Sequence, residues 1–78
     1  MIHTDNDEYD RKVGVIVRDA IEAKGLSVNG AAKESGIAYA TLDRKLRGLS
    51  SFNVRELRAL ARITGRSVRA FLPVKAAA

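Results

Sequence analysis

The sequence has no cysteine, a single histidine and a single proline among its 78 residues. Without cysteine, neither a disulfide nor a thiolate metal site can stabilise the fold, and nothing demands an oxidising compartment. His3, with no second histidine and no cysteine to join it, cannot found a metal site of the usual kind. A chain this short buries only a little over half of its unfolded surface, so its core must be compact.

Long apolar runs are also missing, since no stretch approaches the roughly 20 residues that a membrane-spanning helix needs. The first ten residues carry four carboxylates and no Lys or Arg, the wrong charge for a signal peptide. We therefore expect a cytoplasmic protein without a membrane partner. Because no glycine-rich phosphate loop, nucleophile–base pair or paired carboxylates stand out, we expect no enzyme activity and no cofactor, metal or small-molecule ligand.

Positive charge is unevenly distributed along the chain. The net charge is +5, but beyond residue 10 there are 14 basic and 5 acidic residues, a balance of +9. Between Arg44 and Arg69, eight Lys or Arg are offset only by Glu56. This asymmetry favours a polyanionic partner, of which nucleic acid is the commonest in a cytosol. A solvated, solubilising surface is the alternative.

Hydrophobic spacing and capping residues predict an all-α chain. The first helix is predicted over about Asp7–Lys24, where apolar residues recur at three-and-four spacing. A second helix over Val28–Ser35 and a third over Ala38–Arg47 are predicted on either side of a turn at Gly36. Gly30, inside the second helix, costs on the order of 1 kcal/mol relative to alanine and predicts a close helix crossing or a nearby ligand backbone.

Two further helices are predicted after the third. Asn53 can cap the fourth helix, with Glu56 completing a capping box, and Gly65 ends it. Ser67 can cap a last short helix, which Pro73 stops. The sequence therefore predicts five helices and no strand.

Residues 7–72 are expected to form one domain, between a flexible N-terminus over 1–6 and a flexible tail over 73–78. Phe52 is expected to close the bottom of the core. The other expected core residues are aliphatic, namely Val17, Ile21, Leu26, Ile37, Leu42, Leu46, Leu57, Leu60 and Leu72.

Small and apolar residues follow a fixed order over about residues 13–72. They are Gly25-Leu26-Ser27, Ala31-Ala32, the run from Gly36 to Gly48, Leu57, Leu60-Ala61 and Gly65. This order resembles the lambda repressor and Cro (Xre-type) helix-turn-helix family, and the run from Thr41 to Gly48 is similar to small regulators of phage and prophage type. The chain departs from the family at Ala38, often Ser or Thr, and at Val28, often a phosphate-clamping Gln that Asn29 can replace.

The resemblance implies a compact five-helix, lambda-repressor-like domain whose second and third helices form the helix-turn-helix. It implies sequence-specific binding of double-stranded DNA by a phage-type transcriptional regulator, a repressor or a Cro-like protein. The third helix would read the major groove with four residues, Tyr39, Ala40, Thr41 and Arg44. Alternatively, Tyr39 packs half-buried, and Arg44 contacts phosphate or pairs with Asp43 or Asp19.

Phosphate contacts are expected at the starts of the second and fourth helices and along the third. The candidates are Ser27, Asn29, Lys45, Arg47, Asn53 and Arg55. One such domain reads only a few base pairs, so a weak homodimer on DNA is also expected. Its candidate contacts are Phe71 and Val74, whereas Val68 and Leu72 can close the core of the monomer.

Two other functions stay open on the same fold. A protein-interaction module of antitoxin or anti-repressor type would use an apolar surface and tolerate the loss of basic residues. A small architectural or excision factor would bind DNA as well, and would differ mainly in bending it.

Overall fold

The structure is a computed structural model that describes residues 4–73, with side chains from residue 8 onward. In this range it contains four α-helices and one 3-10 helix, and no strand. No helix in this range is long and apolar enough to cross a membrane. The elements are α1 (Thr4–Ala23), α2 (Val28–Ser35), α3 (Tyr39–Leu46), α4 (Val54–Thr64) and the 3-10 helix Val68–Phe71.

The first helix begins three residues earlier than predicted, at Thr4. Residues 4–6 belong to α1 and residues 1–3 lie outside the described range, and the division into a flexible N-terminus over 1–6 and a domain over 7–72 stays a prediction. Of the predicted tail over 73–78, only Pro73 is described, and it is half-buried.

The fifth predicted helix is a 3-10 helix of four residues, so the prediction of five α-helices is corrected to four. Ser67 precedes it with extended backbone but accepts no capping hydrogen bond. Pro73 follows after one residue, and proline cannot donate the amide hydrogen bond that a longer helix would need. The segment is therefore too short to propagate an α-helix.

Phe71 is fully buried, and the prediction that it forms a dimer contact is wrong. The 3-10 helix that carries it packs against both α1 and α4, which directs the ring into the monomer core. Val74, the other predicted dimer contact, lies outside the described residues. Val68 and Leu72 are half-buried and pack against the core, as the alternative interpretation held.

The buried core is otherwise close to the predicted one. Leu26, Ile37 and Leu72 are only partly buried against it, and so is Phe52. Ile63, which was not predicted, is buried on α4. The buried apolar residues are Val13, Val17, Ala20, Ile21, Ala31, Ala32, Leu42, Leu46, Leu57, Leu60, Ile63 and Phe71.

The close helix crossing lies at Gly14 on α1, and its prediction at Gly30 is wrong. A Cβ atom on Gly14 would lie 2.8 Å from the carbonyl carbon of Leu46, and closer still to its oxygen. At Gly30 the nearest atom would be the Ser27 hydroxyl oxygen at 3.3 Å, within the same helix cap. The absence of a side chain at Gly14 therefore lets the backbones of α1 and the end of α3 approach closely.

The N-caps of α2 and of the 3-10 helix offer a matched test of capping. Ser27 Oγ accepts a hydrogen bond from the Gly30 N–H at 3.0 Å, whereas Ser67 accepts none. We expect Ser27→Ala to lower the free energy of unfolding by about 1 kcal/mol, a fall in melting temperature of about 4–8 °C. Ser67→Ala should stay within about 0.5 kcal/mol of the parent chain. Thermal unfolding followed by circular dichroism measures both, and equal effects would contradict the capping assignment.

Candidate nucleic-acid interface

The turn between α2 and α3 is fixed by hydrogen bonds around Gly36. Gly36 has a φ of 79°, and its N–H donates to the Ala32 carbonyl at 3.0 Å. Ser35 Oγ donates to that carbonyl at 3.3 Å and accepts from the Ile37 N–H, also at 3.3 Å. This role of Ser35 was not predicted, although a serine just before a glycine C-cap can bond the amide that follows it. The turn therefore sets the direction in which α3 leaves α2.

The third helix divides into a buried and an exposed face. Leu42 and Leu46 are buried in the core. Tyr39 is 52% exposed, and Ala40 and Arg44 are exposed as well. Exposure of Ala40 and Arg44 is what helical spacing predicted, whereas Tyr39 is about half covered, so base contact and half-buried packing both stay predictions for it. An uncovered, partly basic helix face thus projects from the domain.

Thr41 lies deeper than its three predicted partners, in a cleft between the α2–α3 turn and the start of α4. It is half-buried and lines the cleft together with Asn53 and Arg55. One predicted base-reading residue is therefore brought next to two predicted phosphate ligands. Ala38, the N-cap of α3, makes no side-chain cap, as expected from its missing hydroxyl.

The starts of α2 and α4 are both exposed. Ser27 caps α2 through the Gly30 N–H, and Asn29 is exposed beside it. At α4, Asn53 Oδ1 accepts from the Glu56 N–H at 2.7 Å. The first backbone N–H groups of a helix have no partner within the helix. These two helix starts can therefore donate hydrogen bonds to an anion.

Lys45 does not project into solvent as a phosphate ligand would, and that prediction is corrected. Its Nζ donates to both carboxylate oxygens of Glu56, at 2.7 and 2.8 Å. The two side chains are only 15% and 16% exposed. Lys45 directly precedes the buried Leu46 on α3, and its side chain is directed toward α4. There the carboxylate of Glu56 already neutralises the charge of the lysine.

Arg44 in α3 and Arg47, the C-cap of α3, differ in their surroundings. Arg47 lies 3.4 Å from an Asp43 oxygen in an exposed i,i+4 pair, the class of ion pair that contributes little to stability. Among the described residues, Arg44 has no ion-pair partner, so the alternative in which Asp43 or Asp19 holds it is not observed. Arg55 is exposed on α4. Arg44, Arg47 and Arg55 therefore present positive charge on and beside the exposed face.

Within the part of the chain that the structure describes, no group of three or more His, Cys, Asp or Glu side chains could hold a metal ion. Several clefts lie on the surface of this part. One of them, on α1, is lined by Val15, Ile16 and Pro73 between charged residues. The exposed face of α3 and the two helix starts that flank it are the main candidate site.

Comparisons with known proteins bear on the fold. No protein-family model matches the chain, and no curated protein matches it in sequence. The chain is similar to the crystal structure of an HTH_3 family transcriptional regulator from Vibrio cholerae, with a TM-score of 0.77 and 24% sequence identity. The match covers 85% of this chain and 37% of the regulator, so the chain spans well under half of that protein's length. The likeness supports the all-α, helix-turn-helix fold expected from the sequence, with four α-helices and a 3-10 helix among the described residues where five helices were expected.

Proposed function

We propose that this chain binds double-stranded DNA in a sequence-specific manner and regulates transcription, with α3 as the reading helix. The observation that carries the proposal is the exposed face formed by Tyr39, Ala40 and Arg44, which no other described part of the chain covers. The major groove of B-DNA admits one α-helix, and its base edges differ for each base pair. Buried Leu42 and Leu46 anchor the opposite side of the helix to the core.

Each exposed residue of α3 suits a particular contact. Arg44, which has no ion-pair partner among the described residues, can donate two hydrogen bonds to guanine O6 and N7. The Ala40 methyl group and the Tyr39 ring can contact a thymine methyl. Thr41, at the cleft, can bond to a base edge or to a phosphate beside the start of α4. The proposed half-site therefore includes a guanine and at least one thymine.

Phosphate contacts come from both sides of the reading helix. Ser27 and Asn29 at the start of α2, and Asn53 and Arg55 at the start of α4, combine side-chain donors with free helix amides. Arg47 adds an exposed charge. Such contacts position a protein on the duplex but carry no base specificity.

The finer role that we propose is that of a cytoplasmic regulator of phage or prophage type, either a repressor or a Cro-like protein. A weak homodimer on two half-sites about one helical turn apart would extend the short sequence that one domain reads. A half-site repeated with twofold symmetry, among duplexes selected from a random pool, would support the dimer.

A protein-interaction role is the second candidate, because two apolar residues near α3 are exposed. Leu49 is 57% exposed and Val54 is 67% exposed, on the loop after α3 and at the start of α4. A protein partner held through this surface would not require the arginines of α3. Salt dependence separates the two candidates, since phosphate contacts release counterions and apolar contacts do not.

Replacing Arg44 tests the proposal. We expect the parent chain to bind random duplex with an affinity that falls steeply with salt, by a log–log slope of about −0.9 for each phosphate neutralised. Arg44→Ala should reduce the preference for a selected site about 10- to 100-fold, because a bidentate guanine contact is lost. Binding to random duplex should weaken only modestly. Fluorescence anisotropy with selected and random duplexes measures both quantities.

Arg66→Ala is the matched control, since Arg66 is exposed beyond the other end of α4. It removes the same charge and should leave the preference for the selected site unchanged. Absent or salt-independent DNA binding by the parent chain would contradict the proposed function and favour the protein-interaction role.

A further inference from the structure

The ion pair between Lys45 and Glu56 joins the reading helix to the start of α4. Both Glu56 oxygens accept from Lys45 Nζ, at 2.7 and 2.8 Å. Of the ion pairs among the described residues, this one connects two helices, whereas the Arg47–Asp43 pair joins α3 to the residue that follows it. The Lys45–Glu56 contact is therefore placed to affect how the two helices are oriented.

Glu56 also belongs to the cap of α4. Its Oε1 accepts from the Asn53 N–H at 2.9 Å, and its own N–H donates to Asn53 Oδ1 at 2.7 Å. One carboxylate thus receives the lysine of α3 and an amide of the α4 cap at the same time. A half-buried carboxylate needs such donors, because burial of an unpaired charge is costly. Rotating Glu56 away from Lys45 would also disturb the cap.

The backbones of α3 and α4 do not lie close to each other. No Cα atom of α3 lies within 8 Å of a Cα atom of α4, and both helices instead pack on α1 and α2. The loop between them ends at Asn53, the residue that Glu56 holds. The ion pair is thus a direct polar link across a gap between two helix backbones.

We infer that Glu56 is a positioning residue for DNA recognition, a role that rests on the proposed function. Through Lys45 it sets the position of the α4 start, with Asn53 and Arg55, relative to the base-reading face of α3. Sequence-specific binding needs base contacts from α3 and phosphate contacts from α4 in one register on the duplex. Binding to random duplex needs only neutralised phosphates, and it tolerates a loosened register.

Glu56→Gln tests the inference, because the glutamine amide oxygen can still accept from the Asn53 N–H but carries no charge for Lys45. The readout is the ratio of affinities for a selected duplex and a random duplex. Partial unfolding lowers both apparent affinities by the same factor, so a merely structural role would leave this ratio unchanged. We expect Glu56→Gln to reduce the ratio about tenfold, within the range of coupling between contacting groups.

Glu8→Gln is the matched control, since Glu8 is exposed on α1 and has no ion-pair partner among the described residues. It raises the net charge by the same amount and should leave the affinity ratio unchanged. An equal fall of the ratio in both variants would overturn the inference, because the effect would then be one of overall charge.

Lys45→Met is a second test that leaves the capping box complete, and it applies even if Glu56→Gln fails to fold. Lys12→Met, at an exposed position of α1, controls for the lost charge. A fall of the affinity ratio in Lys45→Met but not in Lys12→Met supports the inference. An unchanged ratio in Lys45→Met, with a parent chain that does prefer the selected duplex, overturns the inference alone. A parent chain without DNA binding overturns both the inference and the proposed function.

Discussion

Phe71→Ala is expected to lower the free energy of unfolding by about 3–5 kcal/mol, the usual cost of truncating a buried phenylalanine. Phe71 is the largest of the fully buried side chains, and it lies where the 3-10 helix packs on α1 and α4. A small domain without disulfides has little stability to lose, since folded domains are typically stable by about 5–15 kcal/mol. Urea unfolding followed by circular dichroism should show a much lower midpoint, or no folded baseline at all.

Arg69→Ala is the control for Phe71→Ala, since Arg69 is exposed on the same 3-10 helix. It should change the free energy of unfolding by no more than about 0.5 kcal/mol. Phe71→Ala could instead leave the urea midpoint unchanged and alter the oligomeric state. That result would contradict the burial of the ring and support the dimer contact expected from the sequence.

Gly14→Ala should have the next largest effect on stability. The added methyl group would meet the Leu46 carbonyl group and lie 3.1 Å from the Lys45 oxygen. These are main-chain atoms of α3, which cannot rotate away as a side chain can, so the two helices must separate. We expect a loss of about 2–3 kcal/mol, or about 10–20 °C in the melting temperature, despite the better helix propensity of alanine.

Gly30→Ala provides the contrast, because it makes the same substitution in a helix without a backbone clash. The new Cβ atom would meet the Ser27 hydroxyl oxygen at 3.3 Å, and the gain in helix propensity opposes that contact. A change of less than about 1 kcal/mol is expected. Similar melting temperatures for Gly14→Ala and Gly30→Ala would contradict the close crossing of α1 and α3.

Local sequence signals predicted both ends of α2 and of α4 correctly, whereas α3 begins and ends one residue inside the predicted Ala38–Arg47. The span of α2 was predicted in full, and α4 has the predicted capping box of Asn53 and Glu56. Gly36 and Gly65 end their helices with positive φ, as a glycine after an amphipathic segment indicates. These signals succeed because the groups that form a cap lie within four residues of each other along the chain.

Contacts between distant segments were not predictable in the same way. Gly14 looked like any helical glycine, since nothing nearby in sequence reveals that the end of α3 crosses there. Both Phe52 and Phe71 are aromatic residues near loops, and nothing in the sequence indicated that one would be more buried than the other. Phe71 is the fully buried one because the 3-10 helix that carries it packs on the core. Lys45 belongs to a basic run, and its inward position depends on where Glu56 lies in space.

For the candidate interface, too, the features within one helix were predictable and the features between helices were not. Helical spacing separated Leu42 and Leu46 from the outward Tyr39, Ala40 and Arg44, and the structure has the same two faces. The DNA-contact roles of these residues stay predictions. Spacing within one helix could not identify the cleft that brings Thr41 close to Asn53, since the cleft forms between separate helices.

The crossing of α1 and α3 has a consequence for how such a chain can diversify. Gly14 abuts the main chain of Leu46, and a Cβ atom on Gly48 would lie 2.9 Å from Arg11 Cα, so backbone atoms of α1 and of the end of α3 meet at these two positions. Every residue has the same backbone atoms, so these contacts between α1 and α3 do not depend on which side chains α3 presents outward. Exchanging Tyr39 or Ala40 should create new target preferences while the melting temperature barely moves, a division that lets recognition evolve separately from folding.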